Sequence, residues 1–305
     1  VVGLRDGIPI AAAIGDSHAA LFGHGAFNPG DGKVTFGTGS SIMTTLPQFI
    51  APQQGITTTI AWALNGTPTY AFEGNILVSA SALPWMVEML GLPDVQALTD
   101  LAATAAPEGP GFVPAFVGLG APHWQADARA LFCGITFNTS RAQMARAVTD
   151  SMAFQVHDVF AVMSAQSPAP LGKLYADGGP SKNTFLMQCV ADTLNHPVIQ
   201  CDAPEVSALG AAYLAGLHTG VFSGLDELSA QWRAERTFHP QWSRERAAAH
   251  RRQRCRRQSP GPSAGRPATA PDGRAGPAGV RPRSGHPDLR DRSVARPAPV
   301  ARPAL

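Results

Sequence analysis

The 305-residue chain is 44% hydrophobic, enough for a sizeable core in one or two domains. Its formal charge of +2 hides an uneven split, because residues 1–244 carry ten Lys and Arg against eighteen Asp and Glu while residues 245–305 carry fourteen against four. An acidic body argues against a nucleic-acid partner, since a phosphate backbone is gripped mainly by Lys and Arg, so any phosphate handling must rest on backbone amides and a metal ion.

Residues 8–14 form an apolar run that reads as a strand, with Asp16 emerging at its end after Gly15. Residues 34–46 read as two strands of a tight hairpin broken at Gly37 and Gly39, and residues 56–62 and 69–72 as two more around the Asn65-Gly66 turn. Helices are predicted over 76–90, despite Pro84, and over 95–106, where Pro107 and Gly109 end the pattern, followed by a short strand at 112–116. Thr139 or Ser140 caps a long helix whose apolar face runs through Met144, Val148, Met152, Gln155, Val156, Val159 and Met163. A strand at 173–176 then enters an Asp-Gly-Gly loop, and helix 185–194, strand 198–201 and helix 207–218 complete an α/β order in which ligands gather at the carboxyl ends of strands. Beyond Arg244 the composition turns to Arg, Pro, Ala and Gly, too poor in large apolar residues to offset the entropy of ordering, so residues 245–305 are expected to be disordered.

The cysteines, Cys133, Cys189, Cys201 and Cys255, form no CxxC pair and no even framework, which predicts reduced thiols and no metal site of their own. No apolar run reaches the roughly 20 residues a bilayer span needs, and the start lacks the order of a secretion signal. The expectation is a cytoplasmic chain with no membrane partner. Trp85 and Trp124 read as core aromatics.

Three polar loops carry the chemistry: Gly15-Asp16-Ser17-His18, Phe36-Gly37-Thr38-Gly39-Ser40, and Ala176-Asp177-Gly178-Gly179-Pro180-Ser181-Lys182-Asn183. A carboxylate at Asp16 can orient an acceptor hydroxyl and take its proton, although Asp after Gly is also a common turn former or helix cap. Gly37 and Gly39 keep side chains away from phosphate oxygens that the Thr38 hydroxyl can reach, although such a loop is often only a hairpin turn. The third loop, between a strand and a helix N-terminus, can face a nucleotide through its backbone, or be an ordinary connection.

Residues 112–124, with Ala128-Arg129 and Phe132-Cys133-Gly134-Ile135-Thr136, resemble the FGGY family of carbohydrate kinases, and within it the glycerol kinases most. Residues 55–62, Tyr70-Ala71-Phe72-Glu73-Gly74 and 208–217 extend the resemblance, which runs from about residue 8 to 240. It implies a ribonuclease-H-like, actin-like ATPase fold, a mixed sheet with flanking helices, in which two domains close on MgATP and a polyol or sugar hydroxyl. By motif position it implies Asp16 as general base, Gly37, Thr38 and Gly39 at the transferred phosphate, and Gly178, Gly179 and Asn183 at the adenosine. Ser17 stands where glycerol kinases carry a substrate-contacting Gln, and Ser41 where an aromatic residue is usual. With His18 they form a roomier, more polar acceptor end, which favours a longer polyol or ketose over glycerol.

The chain departs from the family pattern at Pro180, Ala80 and Pro84, and nothing like the family's Asp-x-Gly-Thr domain precedes Val1. Residues 1–30 then read as the end of an N-terminal substrate domain, residues 31–244 as the C-terminal nucleotide-binding domain, and residues 245–305 as a tail that a frameshift would also produce. The expected function is ATP-dependent phosphorylation of a small polyol or sugar, with this piece inactive alone. The alternatives are a non-catalytic nucleotide-binding half or pseudokinase, and a basic tail acting as a nucleic-acid or membrane-surface arm; a homo-oligomer is compatible with either.

Overall fold

A computed structural model describes residues 7–53, 55–201, 203 and 205–253. In chain order they form α1 (Asp16–Gly23), β1 (Gly32–Phe36), β2 (Ser40–Leu46), β3 (Thr57–Leu64), β4 (Thr67–Ile76), α2 (Ala82–Leu90), α3 (Val95–Ala103), β5 (Gly111–Val113) and β6 (Leu131–Cys133). After these come α4 (Arg141–Gln166), β7 (Leu174–Asp177), a 3-10 turn (Gly179–Lys182), α5 (Thr184–Leu194), β8 (Val198–Cys201), α6 (Val206–His218), α7 (Leu225–Gln231), β9 (Ala234–Phe238) and α8 (Arg244–Gln253).

Seven strands make one mixed sheet in the order β3-β4-β2-β1-β7-β8-β9, while β5 and β6 pair separately. β1, β7 and β8 run parallel at the centre, and the flanking pairs are antiparallel. Because side chains alternate across a strand, the sheet has two faces with different cover. Val34, Phe36, Ile42, Phe72 and Ala176 pack with Met152, Val156 and Val159 of α4 and Leu186 and Val190 of α5. Met43, Ala71 and Tyr175, on the opposite face, pack with Leu21 and Phe22 of α1 and Tyr213 and Leu214 of α6.

The long helix begins where the sequence placed it. Ser140 accepts a hydrogen bond from the Gln143 amide at 3.2 Å, and the Gln143 side chain accepts from the Ser140 amide at 3.0 Å, a closed capping box. Residues 8–14 form no strand, and Asp16 opens helix α1 instead of ending a strand. The predicted helix at 76–90 starts only at Ala82, because Ile76 pairs with Ser40 as the last residue of β4. Disorder from 245 onward does not hold for the first residues of that segment. α8 docks on α4 and α5, with buried His250 3.2 Å from the Asp150 carboxylate and Arg251 donating to the Thr193 carbonyl at 2.5 Å. Residues 254–305, the rest of the expected tail, lie outside the described residues.

Trp85 stacks on Phe112 within an aromatic cluster, as expected of a core residue, whereas Trp124 is 56% exposed and donates its indole N–H to the Gly55 carbonyl at 2.8 Å. Cys189 and Cys201 are free and buried, but Cys133 is disulfide-bonded, contrary to the expectation of reduced thiols throughout. Among the described residues no helix is long and apolar enough to cross a membrane.

Candidate functional site

Strand register gathers the site. Asn75 of β4 pairs with Ser41 of β2, Ser41 with Thr35 of β1, and Thr35 with Asp177 of β7, which sets one polar row across four adjacent strands at the carboxyl ends of β1 and β7. Above this row α1 presents its first turn. Asp16, Ser17, Thr35, Gly37, Gly39, Ser41 and Ser207 together line a cleft of about 210 Å³. The N-terminus of α1 sits there because α1 crosses α6 with almost no side-chain clearance: a Cβ on Gly210 would lie 1.8 Å from the Ala19 carbonyl oxygen. Asp16 is exposed, and its carboxylate accepts from the Ser17 amide at 2.7 Å.

Beneath the cleft lies a charged network. Lys33 has no exposed surface, and its ammonium donates to Ser17 Oγ at 2.8 Å, Thr35 Oγ1 at 2.9 Å and Ser41 Oγ at 3.2 Å. Thr35 donates onward to Asp177 Oδ2 at 3.2 Å, and the same oxygen receives Nε2–H of fully buried His24 at 2.5 Å. The His24 ring stacks on Tyr175 with centroids 5.1 Å apart. Burial pushes the Lys33 ammonium down to about 8, against the pull of Asp177, Glu73 and Asp16. Burial works to raise the Asp177 carboxyl, but the hydrogen bond from His24, the Lys33 charge and the Thr35 hydroxyl hold it below the ordinary carboxylate range.

The sequence-predicted residues divide into groups. Asp16, Ser17, Gly37, Gly39 and Ser41 share the cleft. Thr38 is exposed at the turn between β1 and β2, where its carbonyl accepts from the Ser79 amide at 2.9 Å and anchors the turn. Gly178 lies against that turn, since a Cβ there would stand 2.0 Å from the Phe36 carbonyl oxygen, and its φ is +89°. His18 turns to Thr59 of β3, 3.1 Å away, and does not line the cleft. Asn183 caps α5: its side-chain oxygen accepts from the Leu186 amide at 2.9 Å and its amide donates to Thr99 of α3 at 2.8 Å. Both ends of that side chain therefore hold α5 and α3 together.

Two glycines of these loops are unexplained by packing. A Cβ on Gly179 would meet nothing within 4 Å, and one on Gly37 only the Gly39 carbonyl oxygen at 3.5 Å, whereas Gly39 and Gly178 are crowded by backbone. Gly37 and Gly179 thus leave open backbone on adjoining loops, as the close approach of a phosphate chain requires. For a divalent cation the case differs, because no group of three or more His, Cys, Asp or Glu among the described residues is placed to hold one. Mg²⁺, which keeps most of its waters and binds through phosphates, would enter with the nucleotide.

Sequence reasoning missed Lys33, His24, Thr35 and Ser207. Alternation along Lys33-Val34-Thr35-Phe36 gives one apolar face and one polar face, but nothing local reveals that α1 covers the polar one.

The mixed sheet with helices on both faces and a cleft at its carboxyl edge is an actin-like α/β fold. The C-terminal domain of the FGGY family of carbohydrate kinases matches residues 32–219, and the chain belongs to that family. A glycerol kinase from Xanthomonas campestris pv. campestris is 43% identical over 244 residues, covering 78% of this chain and 48% of that protein. An apulose kinase from Pectobacterium atrosepticum is 46% identical over 241 residues, covering 79% and 48%. The crystal structure of Plasmodium falciparum glycerol kinase with ADP superposes with a TM-score of 0.74 at 32% identity, over 79% of this chain and 49% of that one. The chain spans about half the length of the relatives it matches.

Proposed function

We propose that this chain is the nucleotide-binding part of an ATP-dependent, cytoplasmic kinase that phosphorylates a hydroxyl of a small polyol or sugar. The observation that supports this most is the convergence of Asp16 and the open glycine loop at Gly37 in one cleft, beside a second open glycine, Gly179. Asp16 orients the acceptor hydroxyl and accepts its proton as the oxygen attacks the γ-phosphorus, and the bond to the leaving ADP oxygen breaks. The Thr38 hydroxyl and the Thr38 and Gly39 amides face the transferred phosphoryl group, while the Gly37 amide is held by the Gly39 carbonyl at 2.8 Å, and the Gly178–Gly179 segment runs along the nucleotide, with Asn183 securing the helix behind it. Mg²⁺ bound to the phosphates supplies charge neutralisation.

Ser17 and Ser41, both small and polar, favour an acceptor with more oxygens than glycerol, in line with the apulose kinase relative. The test joins this chain to the N-terminal half of the Pectobacterium kinase and follows ADP formation with glycerol, erythritol, xylulose and ribulose. Turnover that favours a ketose or tetritol is expected. No turnover with any acceptor overturns the kinase reading, and a wide margin for glycerol overturns the acceptor preference.

A second reading, a nucleotide-binding half without turnover, draws on the chain's matching only half of its relatives. A calorimetric titration of the chain alone with MgADP, beside the coupled assay, separates the two.

A further inference from the structure

We propose that Lys33 is the positioning residue of the acceptor end, fixing the hydroxyls of Ser17 and Ser41 so that one proton of the pair points into the cleft toward an oxygen of the acceptor. The inference rests on the kinase reading and deepens it.

A hydrogen-bond inventory carries it. An ammonium has three protons and no acceptor. Those of Lys33 meet three hydroxyl oxygens, Ser17 at 2.8 Å, Thr35 at 2.9 Å and Ser41 at 3.2 Å. The Thr35 proton goes to Asp177. Ser17 Oγ and Ser41 Oγ lie 2.5 Å apart, so one donates to the other. Two protons serve this pair, and one is consumed within it. The other has the cleft, which both serines line, as its outlet. The pair therefore presents a donor to the cleft and reads an oxygen lone pair, whether a ketose carbonyl or a polyol hydroxyl. Asp16, the first residue of the same helix turn, is separately available to the hydroxyl that reacts.

Charge on Lys33 keeps this arrangement in one sense. A neutral amine has a lone pair that can take the outward proton, which turns the donor away from the cleft. The groups facing Lys33 are Asp16 from α1, Glu73 from β4, and Asp177 and Tyr175 from β7, with His24, the residue after α1, bonded to the far side of Asp177. With its ammonium held near 8, the donor is present below that pH and fades above it. Acceptor binding should weaken there while nucleotide binding does not.

Two measurements test this, one of which needs no turnover. In this chain, a lysine Nζ-selective ¹H–¹⁵N spectrum at pH 6.5 should contain one slowly exchanging ammonium signal that is absent in K33M and moves in S17A and S41A. In the joined enzyme, K33M should raise the acceptor KM at least tenfold with the ATP KM within twofold. The acceptor KM of the parent should climb between pH 7.5 and 9, and that of K33M should stay flat. A Lys33 signal indifferent to both serine variants, or an acceptor KM unchanged in K33M, overturns the proposal. Should the parent joined enzyme lack turnover, the kinase reading fails while the spectrum still decides whether Lys33 governs the serine pair.

Discussion

Replacing Lys33 with methionine isolates the energetic consequence of burying an ammonium. The group has no exposed surface and its pKa falls from 10.5 to about 8. At about 1.4 kcal/mol per pH unit, this corresponds to about 3 kcal/mol. The sign follows from proton counting. Between pH 8 and 10.5 the unfolded chain holds a proton that the folded chain has released, so folding becomes more favourable as pH rises through this window. Below pH 8 both states are protonated and the burial cost is carried in full. The variant has no such group, so the unfolding free energy of the parent minus that of K33M should increase by about 3 kcal/mol from pH 7.5 to 10.5. Other titrating groups, the raised phenol of Tyr175 among them, cancel in the difference. Urea unfolding followed by fluorescence at half-unit pH steps measures it. A difference that stays flat within about 0.5 kcal/mol, which is ordinary for a neutral substitution, would refute the claim that a charged Lys33 is buried at neutral pH.

Alanine at Gly178, where φ is +89° and a Cβ would stand 2.0 Å from the Phe36 carbonyl oxygen, should cost about 3 kcal/mol or more in urea unfolding. Alanine at Gly179, with open space around it, should change stability by less than about 0.5 kcal/mol yet weaken MgADP binding at least tenfold by calorimetry. Asn at Asp16 should lower kcat of the joined enzyme by about a hundredfold or more with its unfolding midpoint unchanged. Ala at Ser140 should remove about 1 kcal/mol by opening the capping box that starts α4, read from the urea midpoint.

Much of the fold lay open in the sequence because its signals are local. Ser140 and Gln143 announce α4, Asn65-Gly66 announces the turn between β3 and β4, and the Gly37–Gly39 hairpin has the strands it needs on both sides. Elements defined by distant partners were harder to read. Residues 8–14 are apolar enough for a strand but join no ladder, and β9 hides in Ala-Glu-Arg-Thr-Phe because it is an edge strand whose polar side chains face water. The site divides in the same way. Asp16 was identifiable from its loop, and Ser17 and Ser41 from the family resemblance, whereas Lys33 and His24 acquire meaning only when α1 folds over β1 and β7 and brings His24 to Asp177, 153 positions away.

The row Asn75, Ser41, Thr35, Asp177 has a mechanical consequence. Neighbouring strands sit about 4.8 Å apart, so three intervals separate its ends by about 14 Å. That span is set by main-chain ladders and not by any side chain. The four positions act as graduations on a fixed ruler, and the chemistry at any mark can be exchanged without altering the reach from one end to the other.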